Sequence, residues 1–289
     1  MPTEQVQVNE AIWRRGDYVS SYANRHLTPV EVLILARYRE ALSKRVLEVG
    51  CGAGRVLGYL VALGGDVHGI DLSQAMVDHC RQAYPAATVS VGDLGAVTKA
   101  VAGRFDVILA ADNVLDVFDD TERRRVLSDL RGLLAPDGLL IFSSHNLEYV
   151  DGTGNDGRAG ATSSGRRARR ARQLMSKLTS RPISDVVGYA TRLPRRIRNR
   201  RRLAPLERRA EDHAILNDEA HDYALLHYYV RRDDQARQLD QLGYELIECL
   251  DAEGSPVGLG QRSPSPWLHY VARPVTHPET GPHLQGDTG

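Results

Sequence analysis

The sequence alternates short apolar runs, typical of buried strands, with longer stretches of helical spacing. Because the connections between them are short, this alternation predicts a parallel β-sheet covered by helices on both faces. The predicted strands span 45–49, 66–70, 88–91, 105–110 and 139–143, and the predicted helices span 55–63, 74–84 and 121–134.

After residue 144 the alternation stops. Residues 151–165 are rich in Gly, Ser, Thr and Asn, and an arginine-rich stretch follows them. The pattern resumes with a predicted helix over 230–242 and predicted strands over 244–250 and 268–272. We therefore expect a seven-stranded, mostly parallel sheet with a basic helical and loop insertion after the fifth strand.

The same boundaries divide the chain into regions. Thr28-Pro29 is a typical helix start and lies ahead of the first strand. The tail is polar and rich in Pro and Gly, which is typical of disorder. The predicted regions are an N-terminal helical cap (1–44), a central domain (45–145 and 226–273), a basic insertion that forms a possible lid (146–225) and a disordered tail (274–289).

The most informative segment is a glycine-rich turn in the sequence VLEVGCGAGR, residues 46–55. Glycines allow a sharp turn and a close ligand approach where a Cβ would clash. A dinucleotide fingerprint would place the third glycine one residue later than Gly54. Glu48 before the turn would repel a pyrophosphate but suits a ligand with a cationic group.

Two further acidic residues follow predicted strands. Asp71 ends the second strand, where a carboxylate can accept both hydroxyls of a ribose. Asp93 follows the third strand, where it can accept from an adenine amine. In a parallel sheet these strand ends meet at one edge, the usual ligand crevice of such folds.

Taken together, these residues resemble the class I S-adenosylmethionine-dependent methyltransferases. The resemblance covers about 45–145 and, by pattern, 230–273. It implies a Rossmann-like α/β fold and S-adenosyl-L-methionine as the cofactor. The matching positions are Glu48, Gly50, Gly52 and Gly54 in the turn, Asp71, Gly92-Asp93, Phe105 to Ile108 on the fourth strand and Leu134 to Gly138 before the fifth.

The resemblance also implies roles for individual residues. Glu48 would lie near the ammonium end of the cofactor, and Asp71 would hold its ribose. The remaining members of the implied cofactor site are Gly50, Cys51 and Gly52 at the methionine part, Leu72 beside Asp71, Asp93 and Leu94 at the adenine, and Asp112 and Asn113 bordering the methyl group.

Candidate catalytic residues should lie near the strand ends, where a base can take the acceptor's proton. His145 directly follows the fifth strand, and His221 and His227 lie in a segment rich in tyrosine. Each could instead be a hydrogen-bonded or core-packed residue. No metal site is predicted, because the histidines show no established ligand spacing.

The N-terminal aromatics form a further candidate group. Trp13, Tyr18 and Tyr22 precede the first predicted strand. They are candidates to cover the cofactor, as leading helices do in the resembled family. Packing into the core is the alternative.

Charge is distributed very unevenly along the chain. The totals of 37 basic and 37 acidic residues cancel, but residues 158–209 contain 17 basic and two acidic residues, a net charge of +15. This segment fits a solvated surface, a lid for an anionic acceptor, or a docking surface for RNA or an anionic membrane. Apart from Tyr189 it lacks aromatic residues for base stacking.

The sequence thus predicts a cytoplasmic methyltransferase that acts on O or N of a small or medium acceptor, which would be anionic if the basic segment is its lid. No apolar run approaches the roughly 20 residues of a membrane span. An RNA methyltransferase that docks through the basic segment is one alternative. A non-catalytic S-adenosylmethionine-binding protein is another.

Overall fold

The computed structural model describes residues 3–14, 18–153 and 183–275. Most of the Gly/Ser-rich stretch and the first half of the basic segment lie outside these residues, as does the tail from 276, predicted to be disordered. None of the helices in the described ranges is both long and apolar enough for a membrane crossing.

The described residues include eleven α-helices and ten β-strands, besides short 3-10 turns. The helices are α1 (Glu4–Trp13), α2 (Val19–Ala23), α3 (Pro29–Arg37), α4 (Arg39–Leu42), α5 (Leu57–Ala62), α6 (Gln74–Ala83), α7 (Val97–Ala100), α8 (Asp120–Leu133), α9 (Leu147–Thr153), α10 (Ile183–Leu203) and α11 (Arg232–Gln241). The strands are β1 (Arg45–Val49), β2 (Asp66–Asp71), β3 (Thr88–Val91), β4 (Phe105–Ala110), β5 (Leu134–Asn146), β6 (Arg208–Arg209), β7 (His213–Leu216), β8 (His227–Val230), β9 (Tyr244–Leu250) and β10 (Trp267–Pro274).

All ten strands belong to one sheet. Strands β3, β2, β1, β4 and β5 lie side by side in that order and are parallel. β10 is antiparallel to β5 and to β9. The expected α/β architecture is confirmed, and the seven strands expected from the sequence are β1–β5, β9 and β10.

The other three strands form a branch at the carboxyl end of β5. The last two residues of β5, His145 and Asn146, pair in parallel with Tyr229 and Val230 of β8. β8 is antiparallel to β7, which is antiparallel to β6. The chain that returns from the basic segment therefore adds strands beside the ligand edge of the sheet.

The sheet has a hydrophobic cluster on each face because side chains alternate along the buried strands. In β1, Leu47 and Val49 face the cluster formed with α8 and α11, whereas Val46 faces the cluster formed with α3, α5 and α6. All three side chains are fully buried. Each such side chain contributes on the order of 1.5–3 kcal/mol to folding.

Helix α3 fastens the N-terminal region to the glycine-rich turn. Thr28 and Glu31 form a reciprocal capping box at its start, with Pro29 in the first turn, as Thr28-Pro29 predicts. Glu31 also receives both terminal nitrogens of Arg55, which follows the turn. This two-point ion pair positions residues 18–28 above the carboxyl ends of the strands.

One buried histidine makes stability depend on pH. His269 of β10 is 8% exposed, and burial lowers its pKa to about 4. Below pH 6.5 the unfolded chain therefore binds a proton that the folded chain does not. We expect His269 to lower the free energy of unfolding by about 2 kcal/mol between pH 7 and pH 5.

Urea unfolding of the His269→Phe variant measures this contribution. The variant keeps an aromatic ring at this position but cannot titrate there. Its free energy of unfolding should therefore fall by about 2 kcal/mol less than that of the wild type between pH 7 and pH 5. His26→Phe, at an exposed histidine, is the matched control and should behave as the wild type. An equal pH dependence in all three proteins would contradict the assignment.

Candidate functional site

The glycine-rich turn leaves open space above the end of β1. Gly50, Gly52 and Gly54 all have positive φ, of 65°, 53° and 83°. A Cβ on Gly50 would lie 2.3 Å from Cγ2 of Val114, so no side chain fits there. Above Gly52 the nearest atom is Cδ1 of Tyr22 at 4.0 Å, which leaves its backbone accessible to a ligand.

Asp71 holds this turn in place. Its two carboxylate oxygens accept the N–H groups of Gly52 and Ser73, each at 2.8 Å. Burial raises the pKa of Asp71, and these amide bonds oppose the rise. A carboxylate has about four acceptor positions, so capacity remains for the hydroxyl groups of a ligand. Asp71 thus has a structural task that the sequence does not reveal.

Glu48 fits a cationic ligand group. Its side chain is buried at the end of β1, and Oε2 has no hydrogen-bond partner. Burial raises the pKa of Glu48 well above its usual value. A buried oxygen without a donor is costly, so an ammonium group beside Glu48 would satisfy an atom that the protein leaves unpaired.

The neighbouring strand ends complete this half of the site. Val91 at the end of β3 pairs with Asp71 at the end of β2. Asp93, two residues later, caps a short 3-10 turn by accepting the N–H of Gly95 at 2.8 Å, and Leu94 is buried in that turn. The acidic residues predicted to bind ribose and adenine therefore follow adjacent strands at one edge.

A strained pair of residues follows β4. Asp112 and Asn113 have φ of 54° and 59°, a region that costs energy for residues other than glycine. Asp112 binds Arg25 at 2.6 Å, and the N–H of Asn113 donates to Oγ of Ser143 at 2.9 Å. Arg25 also stacks on the ring of Tyr22, so the N-terminal segment crosses this edge of the sheet.

A fully buried ion pair lies beneath the same edge. Oδ1 of Asp116 accepts from Nη1 of Arg123 at 2.5 Å and from the hydroxyl of Ser144 at 2.7 Å. Oδ2 accepts from the backbone N–H and from Nδ1 of His145, both at 2.7 Å. Burial alone would raise the pKa of Asp116, but Arg123 and His145 hold it below its usual value.

This contact fixes the tautomer of His145. An ionised carboxylate can only accept, so Nδ1 carries the proton. In the neutral ring Nε2 then keeps its lone pair, and it lies 3.5 Å from the side-chain amide of Asn113. His145 is therefore a proton acceptor at the carboxyl end of β5.

His227 and Asp218 lie beside His145. Oδ2 of Asp218 accepts from Nδ1 of His227 at 2.7 Å and from the hydroxyl of Tyr229 at 2.8 Å. The rings of His145 and His227 stack with centroids 4.7 Å apart. Burial would lower the pKa of His227, but the Asp218 carboxylate outweighs it and raises that pKa. Two of the three predicted catalytic histidines are thus neighbours.

His221 occupies a different environment. Its ring lies edge-on to Trp13 and Tyr18, with centroids 4.8 and 5.0 Å away, and Nε2 is 3.4 Å from the hydroxyl of Tyr22. Burial lowers the pKa of His221. The N-terminal aromatics therefore gather around His221, above the open side of the glycine-rich turn.

Comparisons with known proteins agree with this geometry. Residues 46–138 match a family model described as a methyltransferase domain. The chain is 29% identical over 160 residues to a ubiquinone biosynthesis O-methyltransferase of Coxiella burnetii, an alignment that spans 51% of this chain and 67% of that enzyme. With the enzyme of another strain the alignment spans 53% of its length. The chain therefore contains a methyltransferase domain, in agreement with its resemblance to the class I S-adenosylmethionine-dependent methyltransferases.

Solved structures establish the same fold over most of the chain. The CcbJ methyltransferase of Streptomyces caelestis has a TM-score of 0.54 at 18% identity, covering 90% of this chain and 96% of that one. The glycopeptide N-methyltransferase MtfA, solved with S-adenosyl-L-methionine, has a TM-score of 0.52 at 16% identity, covering 86% and 95%. The predicted methyltransferase fold is confirmed.

The basic helix α10 of this methyltransferase holds a strained turn. His221, Asp222 and Tyr223 all have positive φ, of 49°, 59° and 61°. Arg196 binds the Asp222 carboxylate at 3.4 Å, and Asn199 donates to its backbone carbonyl at 3.0 Å. The guanidinium of Arg196 also lies over the ring of Tyr223. Part of the positive charge of the basic segment is therefore used in contacts within the protein.

Sequence reasoning missed the acidic partners of the histidines. Asp116 is 29 residues from His145 in the sequence. Asp218 is nine residues from His227, but nothing in the sequence shows that the two side chains meet. Arg123 did leave a signal, because it shares helical spacing with the buried residues Val126, Leu127 and Leu130 of α8. A charge on the buried face of a helix indicates a buried partner.

Gly50→Ala tests the cofactor turn. The added Cβ would clash with Val114, and the alanine would have to adopt a positive φ. Accommodating it would strain the turn by roughly 1–3 kcal/mol. We expect affinity for S-adenosylmethionine, measured by calorimetry, to fall about tenfold or more. Gly64→Ala is the matched control, because Gly64 has a φ of 82° but no atom within 4 Å of an added Cβ. Equal affinities in both variants would contradict this role of Gly50.

Proposed function

We propose that the protein transfers the methyl group of S-adenosylmethionine to an oxygen or nitrogen of a small or medium acceptor. The observation that carries the proposal is the pairing of His145 with the buried Asp116 at the end of β5. It leaves the Nε2 lone pair beside Asn113, which follows β4 and borders the expected position of the methyl group.

Methyl transfer from a sulfonium is an in-line displacement. The acceptor's lone pair attacks the methyl carbon, the carbon–sulfur bond breaks, and its electron pair returns to sulfur to give the thioether. The acceptor's proton passes to Nε2 of His145, and Asp116 stabilises the resulting imidazolium through Nδ1. Alignment of acceptor and methyl group supplies the remainder of the acceleration.

The proposed cofactor contacts follow the strand ends. The ammonium group would lie beside the unpaired oxygen of Glu48, and the ribose hydroxyls would bind Asp71. The other proposed contacts are Gly50, Cys51 and Gly52 at the methionine part, Leu72 at the ribose, Asp93 and Leu94 at the adenine, and Asp112 and Asn113 at the methyl group.

The contacts that the arginines of α10 make within the protein favour the proposal of a small acceptor. Arg195 and Arg196 lie within 3.8 Å of the Asp222 carboxylate, and Arg200 donates to the carbonyl of Asn217 at 3.0 Å. These arginines stabilise the turn that carries His221. The names of the relatives, an O-methyltransferase of ubiquinone biosynthesis and a glycopeptide N-methyltransferase, also favour O or N of such an acceptor.

Docking of RNA is the second candidate function. Arg198, Arg201 and Arg202 of α10 are exposed and could contact phosphates. The proposal and this alternative differ in salt dependence. Methylation of RNA that binds through many arginine–phosphate contacts weakens steeply as the salt concentration rises. Methylation of a small molecule bound in a pocket depends far less on salt.

Transfer of labelled methyl groups tests the proposed function. The protein is incubated with methyl-labelled S-adenosylmethionine and a fractionated cell extract, at two salt concentrations. We expect label in the small-molecule fraction with little effect of salt. Salt-sensitive label in RNA would overturn the proposal in favour of RNA, and binding without any label transfer would indicate a non-catalytic cofactor-binding protein.

His145→Gln tests the proposed base with the acceptor so identified. Since a general base contributes about 10²–10⁴-fold, we expect kcat to fall at least about 100-fold while cofactor affinity stays unchanged. His213→Gln is the matched control, because His213 pairs with Asp212 and stacks on Tyr228 instead. Full turnover in His145→Gln would rule out His145 as the base.

A further inference from the structure

Three side chains with metal-ligating atoms converge beside the proposed acceptor position. They are His145, Asp218 and His227, whose ligand atoms all lie within 4.8 Å of one another. We propose that these three residues bind a divalent transition-metal ion such as Zn²⁺. The sequence predicts no metal site, because the histidines show no established ligand spacing.

The distances suit a metal ion after small movements. Oδ2 of Asp218 is 2.7 Å from Nδ1 of His227 and 3.9 Å from Nε2 of His145. Zinc bonds of about 2.0–2.1 Å in a tetrahedral arrangement place neighbouring ligand atoms roughly 3.3 Å apart. The two separations from Asp218 lie on either side of that value, and all three ligand atoms lie within 4.8 Å of one another, so side-chain movements of up to about 1.5 Å bring them into range.

The ligands are held by partners of the kind that metal sites use. Nδ1 of His145 is bound to Asp116, so its Nε2 is already the ligating nitrogen, and a carboxylate behind a histidine is the common support of zinc ligands. The hydroxyl of Tyr229 binds Asp218. His145 and Tyr229 are also register partners in the sheet, so the backbone of the site is rigid.

Asn113 supplies an independent observation. Its Oδ1 is buried without a hydrogen-bond partner, and its amide nitrogen lies 3.5 Å from Nε2 of His145. A half-turn of the amide would direct that unpaired oxygen at the cluster. A fourth ligand would then come from a side chain that the protein otherwise leaves unsatisfied.

The donor set selects the class of metal. Two imidazoles and one carboxylate favour Zn²⁺, Fe²⁺ or Mn²⁺, whereas Mg²⁺ and Ca²⁺ require mostly oxygen ligands. The side chains of His145, Asp218 and His227 are 15%, 23% and 8% exposed. The site is therefore largely enclosed but still reached from the crevice, where an exchangeable ligand can complete the coordination.

A bound ion would change the chemistry of the proposed reaction. It would use the Nε2 lone pair through which His145 takes the acceptor's proton, so metal binding and proton transfer to His145 exclude each other. Added Zn²⁺ is therefore expected to inhibit transfer by that route. The metal site itself is testable without any acceptor and does not depend on the proposed function.

Calorimetric titration with ZnCl₂ tests the site. The protein is the full chain without a histidine tag, freed of metal with a chelator and then dialysed. We expect one ion per chain, with affinity weakened at least about tenfold in Asp218→Asn and in His227→Gln. His213→Gln, which removes a nearby histidine outside the cluster, should bind as the wild type.

Two further measurements distinguish loss of the metal site from loss of the fold and identify the coordinating atoms. Binding of S-adenosylmethionine by each variant shows that its fold is intact, and titration of the wild type with Co²⁺ should give visible absorption bands of nitrogen and oxygen coordination. The proposal is overturned if the wild type binds no Zn²⁺ and gives no Co²⁺ bands. It is equally overturned if folded Asp218→Asn and His227→Gln variants both keep wild-type affinity.

Discussion

The buried ion pair between Asp116 and Arg123 connects the elements around the proposed acceptor position. Asp116 lies in the turn after β4, and Arg123 lies in α8 and donates to Gln235 of α11 at 2.8 Å. The same carboxylate binds both the backbone and the ring of His145 at the end of β5. One carboxylate therefore couples two strands of the sheet to the helices on one face.

This ion pair is better explained by its effect on the orientation of His145 than by a contribution to the stability of the fold. Removing one partner of a buried ion pair typically costs about 3–5 kcal/mol, because the other charge is left unpaired, yet apolar replacements of both partners are often no less stable. What apolar residues could not do is orient an imidazole. Because Arg123 keeps Asp116 ionised, His145 must donate from Nδ1 and present Nε2 to the crevice.

Backbone strain is concentrated around the same crevice. Among the residues that the structure describes, the non-glycine residues with positive φ are Asp112 and Asn113 on one side and His221, Asp222 and Tyr223 on the other. Arg25 and Ser143 hold the first segment. Arginines of α10 hold the second, which gives the basic segment a role inside the molecule that net charge alone does not suggest.

The sequence predicts the fold well where local pattern and tertiary structure agree. The ends of β1, β3, β4 and β9 match the predicted strands. For β1 and β4 the reason is that buried parallel strands are almost continuously apolar. The glycine spacing likewise indicates the cofactor turn. Strands β6 to β8 were not predicted because they are short and carry charged or aromatic residues. The partners of His145 and His227 escaped because only the folded sheet brings Asp116 and Asp218 beside them.

The tautomer of His145 tests this account most directly, because both the proposed base and the proposed metal ligand require a free lone pair on Nε2. Nitrogen-15 NMR of histidine-labelled protein measures it, with the His145→Gln spectrum identifying the signal. We expect neutral His145 to carry its proton on Nδ1, hydrogen-bonded to Asp116. A proton on Nε2 with a bare Nδ1 would contradict it.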